Sequence, residues 1–169
     1  DAIALSLGLE YLANPLWKAT GKIDLRWADS SDTILNTLGL AYKWSRDWTL
    51  LTKNIFSFAD NHGALSGNRV QNRFQLGAAY RQVDTNRWDA LTKIEYKLDD
   101  NQSSLLNTLK TDAYIFSTHW NYHPTRRWTF SNQYAAKWYS DSNNTISSDA
   151  TTYLVGGRVL HDITERWEA

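Results

Sequence analysis

The stretch Trp17-Lys-Ala-Thr-Gly-Lys-Ile-Asp-Leu-Arg-Trp27 interleaves two chemistries with a period of two residues. Trp17, Ala19, Gly21, Ile23, Leu25 and Trp27 fall on one parity, and Lys18, Thr20, Lys22, Asp24 and Arg26 on the other. Successive side chains of a strand point to opposite faces, so this reads as a strand with one apolar and one charged face; a helix would mix the two sets. Upstream, Ile3, Leu5, Leu7, Leu9 and Tyr11 alternate with Ala4, Ser6, Gly8 and Glu10 in the same way. Further alternations lie near 33–45, 48–60, 69–83, 88–99, 108–123, 128–140 and 151–162, each bounded by Asn, Asp, Ser, Gly or Pro. Nine strands thus account for most of residues 1–169, read as one domain with no linker.

Tight connections are expected at Asn14-Pro15, 45–47, 84–87 and 124–127, and mostly longer ones at 60–68, 99–107 and 140–150. Both prolines, Pro15 and Pro124, sit in turns, where a missing donor breaks no ladder. Trp17, Trp48, Trp88, Trp128 and Trp167 each follow a tight turn, at separations of 31, 40, 40 and 39 residues, so the repeating unit is a hairpin. The strand entering each turn carries an echo: Leu7-Gly8, Leu38-Gly39, Leu76-Gly77, Phe116-Ser117 and Val155-Gly156, with the small residue always on the polar parity. Connections this short exclude helical crossovers. The pattern predicts an all-β, antiparallel up-and-down transmembrane β-barrel, or barrel segment, of about nine to ten strands built from hairpin repeats.

Large apolar residues recur ten positions after the tight-turn Trp, as Trp17 with Trp27, Trp48 with Phe58, Trp88 with Leu98 and Trp128 with Trp138. At about 3.3 Å per residue and a tilt near 40°, such a pair spans about 25 Å, the height of a lipid-facing band. Aromatic rings prefer the boundary of such a band. The expected girdle comprises Tyr11, Trp17, Trp27, Tyr42, Trp44, Trp48, Phe58, Tyr80, Trp88, Trp120, Tyr122, Trp128 and Trp138. Asn54, Asn72 and Asn132 break the pattern on the apolar parity and call for a local bulge or a protein neighbour.

The polar parity carries Lys18, Lys22, Arg26, Lys43, Lys53, Arg73, Arg81, Lys93, Lys97, Lys137 and Arg158 against Glu10, Asp24, Asp89 and Glu95. Eleven bases against four acids, enclosed by a barrel wall, predict a lumen that favours anions. Over the whole chain 18 basic residues balance 18 acidic ones, which excludes a nucleic-acid-type basic surface. No cysteine is present, so disulfides, thiolate chemistry and Cys-ligated metals are excluded. Four scattered histidines form no ligand pair, and neither a metal nor a cofactor is expected. Asp29, Asp60, Asp99, Asp100 and Asp141 could gather a divalent ion, or simply solvate loop starts. Ser117 and His119 share a strand face as a hydrolase would want, but no carboxylate occupies a neighbouring position of that face, so no catalytic site is assigned. Arg46, Arg87, Arg126, Arg127 and Arg166 gather at the tight turns.

The hairpin Leu-Gly-Ala-Ala-Tyr-Arg-Gln-Val-Asp-Thr-Asn-Arg-Trp-Asp-Ala-Leu-Thr-Lys at 76–93 resembles those of bacterial outer-membrane, porin-like β-barrels, notably the barrel domain ending some very long, repeat-rich surface proteins. The resemblance implies insertion into the bacterial outer membrane by its assembly machinery, contact with the lipid bilayer and lipopolysaccharide, and service as a pore, export conduit or anchor. The expected function is a non-enzymatic pore or conduit wall. The alternatives are the membrane anchor of a surface or adhesin-type protein, and a soluble β-sandwich binding module. The absence of methionine suggests an excised piece, and a tenth strand just begun at Trp167 leaves closure to further strands or further copies of the chain.

Overall fold

In a computed structural model, which describes residues 2–62, 66–103, 109–143, 146–164 and 167–168, the chain is a meander of strands. These are β1 (Ala2–Tyr11), β2 (Trp17–Ala28), β3 (Ser31–Lys43), β4 (Trp48–Asn61), β5 (Gly67–Arg81), β6 (Trp88–Ser103), β7 (Leu109–Thr125), β8 (Trp128–Asn143), β9 (Ser147–Thr164) and the two-residue β10 (Trp167–Glu168). Each pairs antiparallel with its sequence neighbours, in the order β1 to β10. The expected strands are all present. Those bordering the longer connections run further than the alternation suggested, β6 to Ser103 and β9 from Ser147, because Asp, Asn and Ser there stay in the ladder.

Register follows from the turns. Trp17 sits opposite Tyr42, Trp48 opposite Tyr80, Trp88 opposite Tyr122 and Trp128 opposite His161, so four of the five tight-turn Trp positions lie opposite a ring-bearing residue on the strand beside them. Side chains shape the turns themselves: Asn14 Oδ1 accepts from the Leu16 N–H at 2.8 Å, and Ser45 Oγ accepts from the Trp48 N–H at 3.2 Å. Asn86 adopts a left-handed conformation (φ 49°) that Asn tolerates better than most residues, and its N–H donates to the Gln82 carbonyl. The only register shift among β1 to β9 falls between Tyr122 and Thr125, at Pro124, whose missing donor interrupts β7.

The sheet is open. Among the described residues β1 touches β2 alone, and neither β9 nor β10 reaches it. This overturns the closed transmembrane β-barrel expected from the hairpin repeat. It also removes the pore or conduit wall and the anion-favouring lumen, because a polar face enclosed by no complete wall surrounds no channel. The outer-membrane location rested on that closure and falls with it: an open edge leaves backbone N–H and C=O groups unpaired, a state that hydrocarbon does not tolerate. No helix among the described residues is long and apolar enough to cross a membrane, a statement that bears on helices alone.

All the strands lie in one sheet, with no second layer among the described residues. Among the described residues, the only apolar ones buried below a tenth of their surface are Ala113 and Ala136. Ile3, Leu7, Leu9 and Val155 are 70, 69, 78 and 76% exposed. The most buried polar side chain is instead Glu95, on the charged face, at 1% exposure. A single layer hides a side chain to that degree only where neighbours on the same face crowd over it.

Candidate functional site on the charged face

The register carries all eleven basic residues singled out in the sequence to one face of the sheet, together with Glu10, Asp24, Asp89 and Glu95. They do not form one uniform positive surface. At the centre, Glu95 on β6 accepts hydrogen bonds from Arg73 and Gln75 of β5 and from Lys93 of its own strand. Arg73 Nη2, Gln75 Nε2 and Lys93 Nζ donate to Oε2 at 3.1, 2.8 and 3.0 Å, and Arg73 Nε makes an ion-pair contact with Oε1 at 2.7 Å. Burial pushes the Glu95 carboxyl up, but the bonds from Arg73, Lys93 and Gln75 together outweigh it and hold the group down at about 2. Two steps along the same two strands, Arg69 grips Asp99 through Nε and Nη2 at 2.9 and 2.7 Å, with Gln71 as a third donor. Arg69 and Gln71 thereby lower the Asp99 carboxyl.

The pairing is diagonal. β5 presents Arg69, Gln71, Arg73 and Gln75 at alternate positions, and β6 presents Lys93, Glu95, Lys97 and Asp99. Each acid sits opposite a glutamine and takes its arginine from the next step along the face, within reach for long side chains. The alternation was legible in the sequence. The pairing was not, because it depends on register, and Arg69, Gln71, Gln75 and Asp99 went unassigned to it.

A second cluster joins β6, β7 and β8 beside the Pro124 irregularity. Asn121 Nδ2 donates to Asp89 Oδ1 at 2.6 Å, His123 Nε2 stands 3.1 Å from Asp89 Oδ2, and His123 Nδ1 stands 3.0 Å from Thr129 Oγ1. With Nε2 as donor to the carboxylate, Nδ1 accepts from the Thr129 hydroxyl. Carboxylate, imidazole and hydroxyl thus link three strands where the β7 ladder is interrupted. Sequence reasoning missed this cluster because its members lie 34 and 6 residues apart. Ser117 and His119 make no hydrogen bond to each other among the described residues.

Elsewhere Lys22 pairs with Asp24 at 2.9 Å, and Lys137 lies 4.5 Å from the centre of the Tyr139 ring. Arg81 Nε donates to Asn86 Oδ1 at 3.1 Å. Arg46 bridges to Asp84 of the neighbouring tight turn at 2.8 Å, whereas Arg166 lies outside the described residues. Lys18 and Lys53, with Lys93, border a depression of about 430 Å³ floored by Gly39, Gly77 and Leu51. The small residues of the repeat have a local purpose here: Gly39 faces Lys53 and Gly77 faces Lys93 across the ladder, leaving each lysine room. No group of three or more metal-ligating residues occurs among the described residues: Asp99 is taken by Arg69, and Asp60 lies 3.8 Å from His62.

On the opposite face, rings near the tight turns form a nearly continuous row. Tyr11 stacks on Trp17 at 4.4 Å, Trp88 on Tyr122 at 4.3 Å and Trp128 on His161 at 4.0 Å, and Trp48 meets Tyr80 at 4.9 Å. At the far end the row is thinner. Trp27 and Trp138 belong to it, and Tyr96 and Tyr114, 5.1 Å apart, stand beside Leu98, which shares the face of Trp88 and lies opposite Asp112. Trp44 lies beyond β3, in the connection to β4. The anomalous Asn54 and Asn72 satisfy each other, with Asn54 Nδ2 donating to Asn72 Oδ1 at 2.8 Å, and the β4–β5 register runs unbroken past them.

No protein-family model matches the chain, and no curated protein does. Among solved structures, it is similar in fold to the ferric yersiniabactin uptake receptor FyuA from Yersinia pestis, with a TM-score of 0.51 at 15% sequence identity. The match covers 99% of this chain and 36% of the receptor, so the chain spans about a third of that protein's length. At this identity the likeness is one of fold: a β-rich architecture shared with part of a receptor-type β protein.

Proposed function

We propose that this chain is a non-enzymatic anchoring module, in which the open sheet lays its apolar face against lipid acyl chains and completes its edges by pairing with further strands. One observation carries the reading: among the described residues the apolar face has no partner within the chain. Leu38, Leu76 and Ile94, all in mid-strand, are 53, 50 and 56% exposed, and a contiguous apolar surface of this extent marks an interaction site. The aromatic row along one margin supports a lipid partner over a protein one, since indole and phenol rings favour an apolar–aqueous boundary. The hairpin repeat and the fold likeness to a receptor segment support a place within a larger surface protein. Glu95, Asp99 and Asp89 on the other face are engaged in cross-strand clamps, which supports structure over catalysis.

Liposome flotation tests this reading. The wild-type chain is expected to float with phosphatidylcholine vesicles, and Leu38→Asp/Leu76→Asp is expected to stay in the dense fraction while keeping its strand circular dichroism. Equal flotation of the two proteins would overturn the proposal.

A further inference from the structure

The arginines at the tight turns are not equivalent, and the register brings two of them together. The His123 N–H donates to the Arg87 carbonyl at 2.7 Å, which ties the end of β7 to the β5–β6 connection and sets that connection beside the one between β7 and β8. Between them lies a cleft of about 530 Å³, lined by Thr85, Asn86 and Arg87 on one side and by residues 123–126 on the other. Its lining holds the guanidinium groups of Arg87 and Arg126 and no carboxylate. Both arginines are exposed, and among the described residues neither forms an ion pair. The neighbouring turn is already neutralised, since Arg46 bridges to Asp84 at 2.8 Å and Asp47 Oδ1 accepts from the Val83 N–H at 2.9 Å. The uncharged groups of the lining are left as donors. Thr125 Oγ1 accepts from the Arg127 N–H at 3.4 Å, which leaves its hydroxyl proton to give, and Asn86 Oδ1 accepts from Arg81 Nε at 3.1 Å, which leaves its amide N–H groups. His123 offers no spare acceptor, because Asp89 and Thr129 engage both of its ring nitrogens.

The geometry points to this cleft as a phosphate site whose occupant is the phosphodiester of an anionic lipid headgroup. The inference rests on the anchoring reading, to which it adds a preference for anionic lipid. Two planar guanidinium forks match the paired oxygens of a phosphate, and the hydroxyl and amide donors beside them suit an acceptor-only ligand. Position selects the lipid over a free phosphate ester. Arg87 immediately precedes Trp88, which stacks on Tyr122 at 4.3 Å, so the cleft lies one residue outward from the aromatic row. Rings that settle at the apolar–aqueous boundary hold the arginines at the depth of the headgroups. A soluble phosphate ester offers the same oxygens but gains nothing from that placement.

Vesicle co-sedimentation at low ionic strength tests the site, using phosphatidylcholine alone and phosphatidylcholine with about one part in four of phosphatidylglycerol. Each base near an anionic surface strengthens binding several-fold, so the wild-type chain is expected to bind the anionic vesicles about tenfold more tightly than the neutral ones. Arg87→Gln/Arg126→Gln is expected to lose most of that gain with its strand circular dichroism unchanged. Arg46→Gln/Lys110→Gln removes the same net charge from ion-paired positions and is expected to keep most of it. Arg87→Lys/Arg126→Lys, which retains the charge but not the fork, is expected to fall between. Equal losses in the two glutamine variants, or a lysine variant that binds like the wild type, would overturn the site in favour of a general attraction of charge. Calorimetric titration with inorganic phosphate in nonionic detergent separates the two sources: saturable binding that needs Arg87 and Arg126, without any gain from phosphatidylglycerol, would overturn the lipid assignment. A chain that binds both vesicle types equally overturns this inference and leaves the anchoring intact. One that binds only the anionic vesicles, through these two arginines, supports it and overturns the anchoring through the apolar face.

Discussion

At Gly39 the requirement for a small residue is steric. A Cβ there would stand 2.8 Å from Thr20 Oγ1, closer than real Cβ contacts come, whereas at Gly77 the nearest atoms are 3.5 Å away, an ordinary contact. Gly39→Val is therefore expected to destabilise the sheet by about 1–3 kcal/mol, in the range of overpacked sites. Gly77→Ala is expected to be neutral or stabilising by up to about 1 kcal/mol, through a less flexible unfolded chain. Urea titration of both variants, with Thr20→Ala as a partial rescue of Gly39→Val, checks the pair. Glu95 gives a pH dependence of known sign. Its folded value of about 2 lies below its ordinary 4.5, so it contributes stability that is fully present above pH 4.5 and is lost as the pH falls toward 2. Glu95→Gln is expected to be less stable at neutral pH and to show a shallower acid loss between pH 4.5 and 2, with Asp99 supplying the remaining slope. Parallel slopes for the two proteins would show that the Arg73–Glu95–Lys93 contacts do not persist in solution.

Between elements, the apolar face of β4 and β5 contains a polar seam that stands or falls as a unit. Asn54 and Asn72 exchange a hydrogen bond at 2.8 Å, so replacing one with leucine leaves the other amide without its partner on an apolar face. Asn54→Leu and Asn72→Leu are each expected to cost about 1–2 kcal/mol, and the double variant less than the sum of the singles. A strictly additive cycle would contradict the pairing. This seam also shows what sequence reading reaches at the scale of strands. Parity placed both residues on the apolar face correctly, because the two-residue period is a local property of each strand. Their mutual satisfaction lay hidden, because residues 18 positions apart meet only once β4 and β5 are paired in register. The Arg69–Asp99 and Asp89–His123–Thr129 contacts were missed for the same reason, at separations of 30, 34 and 6 residues.

For the whole molecule, nine long strands and one short one follow from alternation, turn residues and a tryptophan that returns with every hairpin. Closure does not follow from these. Whether β1 meets the far margin depends on twist and curl accumulated over every strand pair, and a small angle per pair, encoded at no single position, separates a closed wall from an open sheet. Trp27 and Lys22 lie on opposite faces whichever shape results, so the face assignment survived while the enclosed lumen did not. What remains is a single layer with charged clamps on one face and uncovered apolar side chains on the other. The most direct test uses the nine tryptophans themselves. With the folded chain bound to vesicles of phosphatidylcholine brominated along the acyl chain, the account predicts strong quenching of tryptophan emission, Trp27 and Trp138 included. Unquenched emission from a chain whose circular dichroism shows the sheet intact would contradict it.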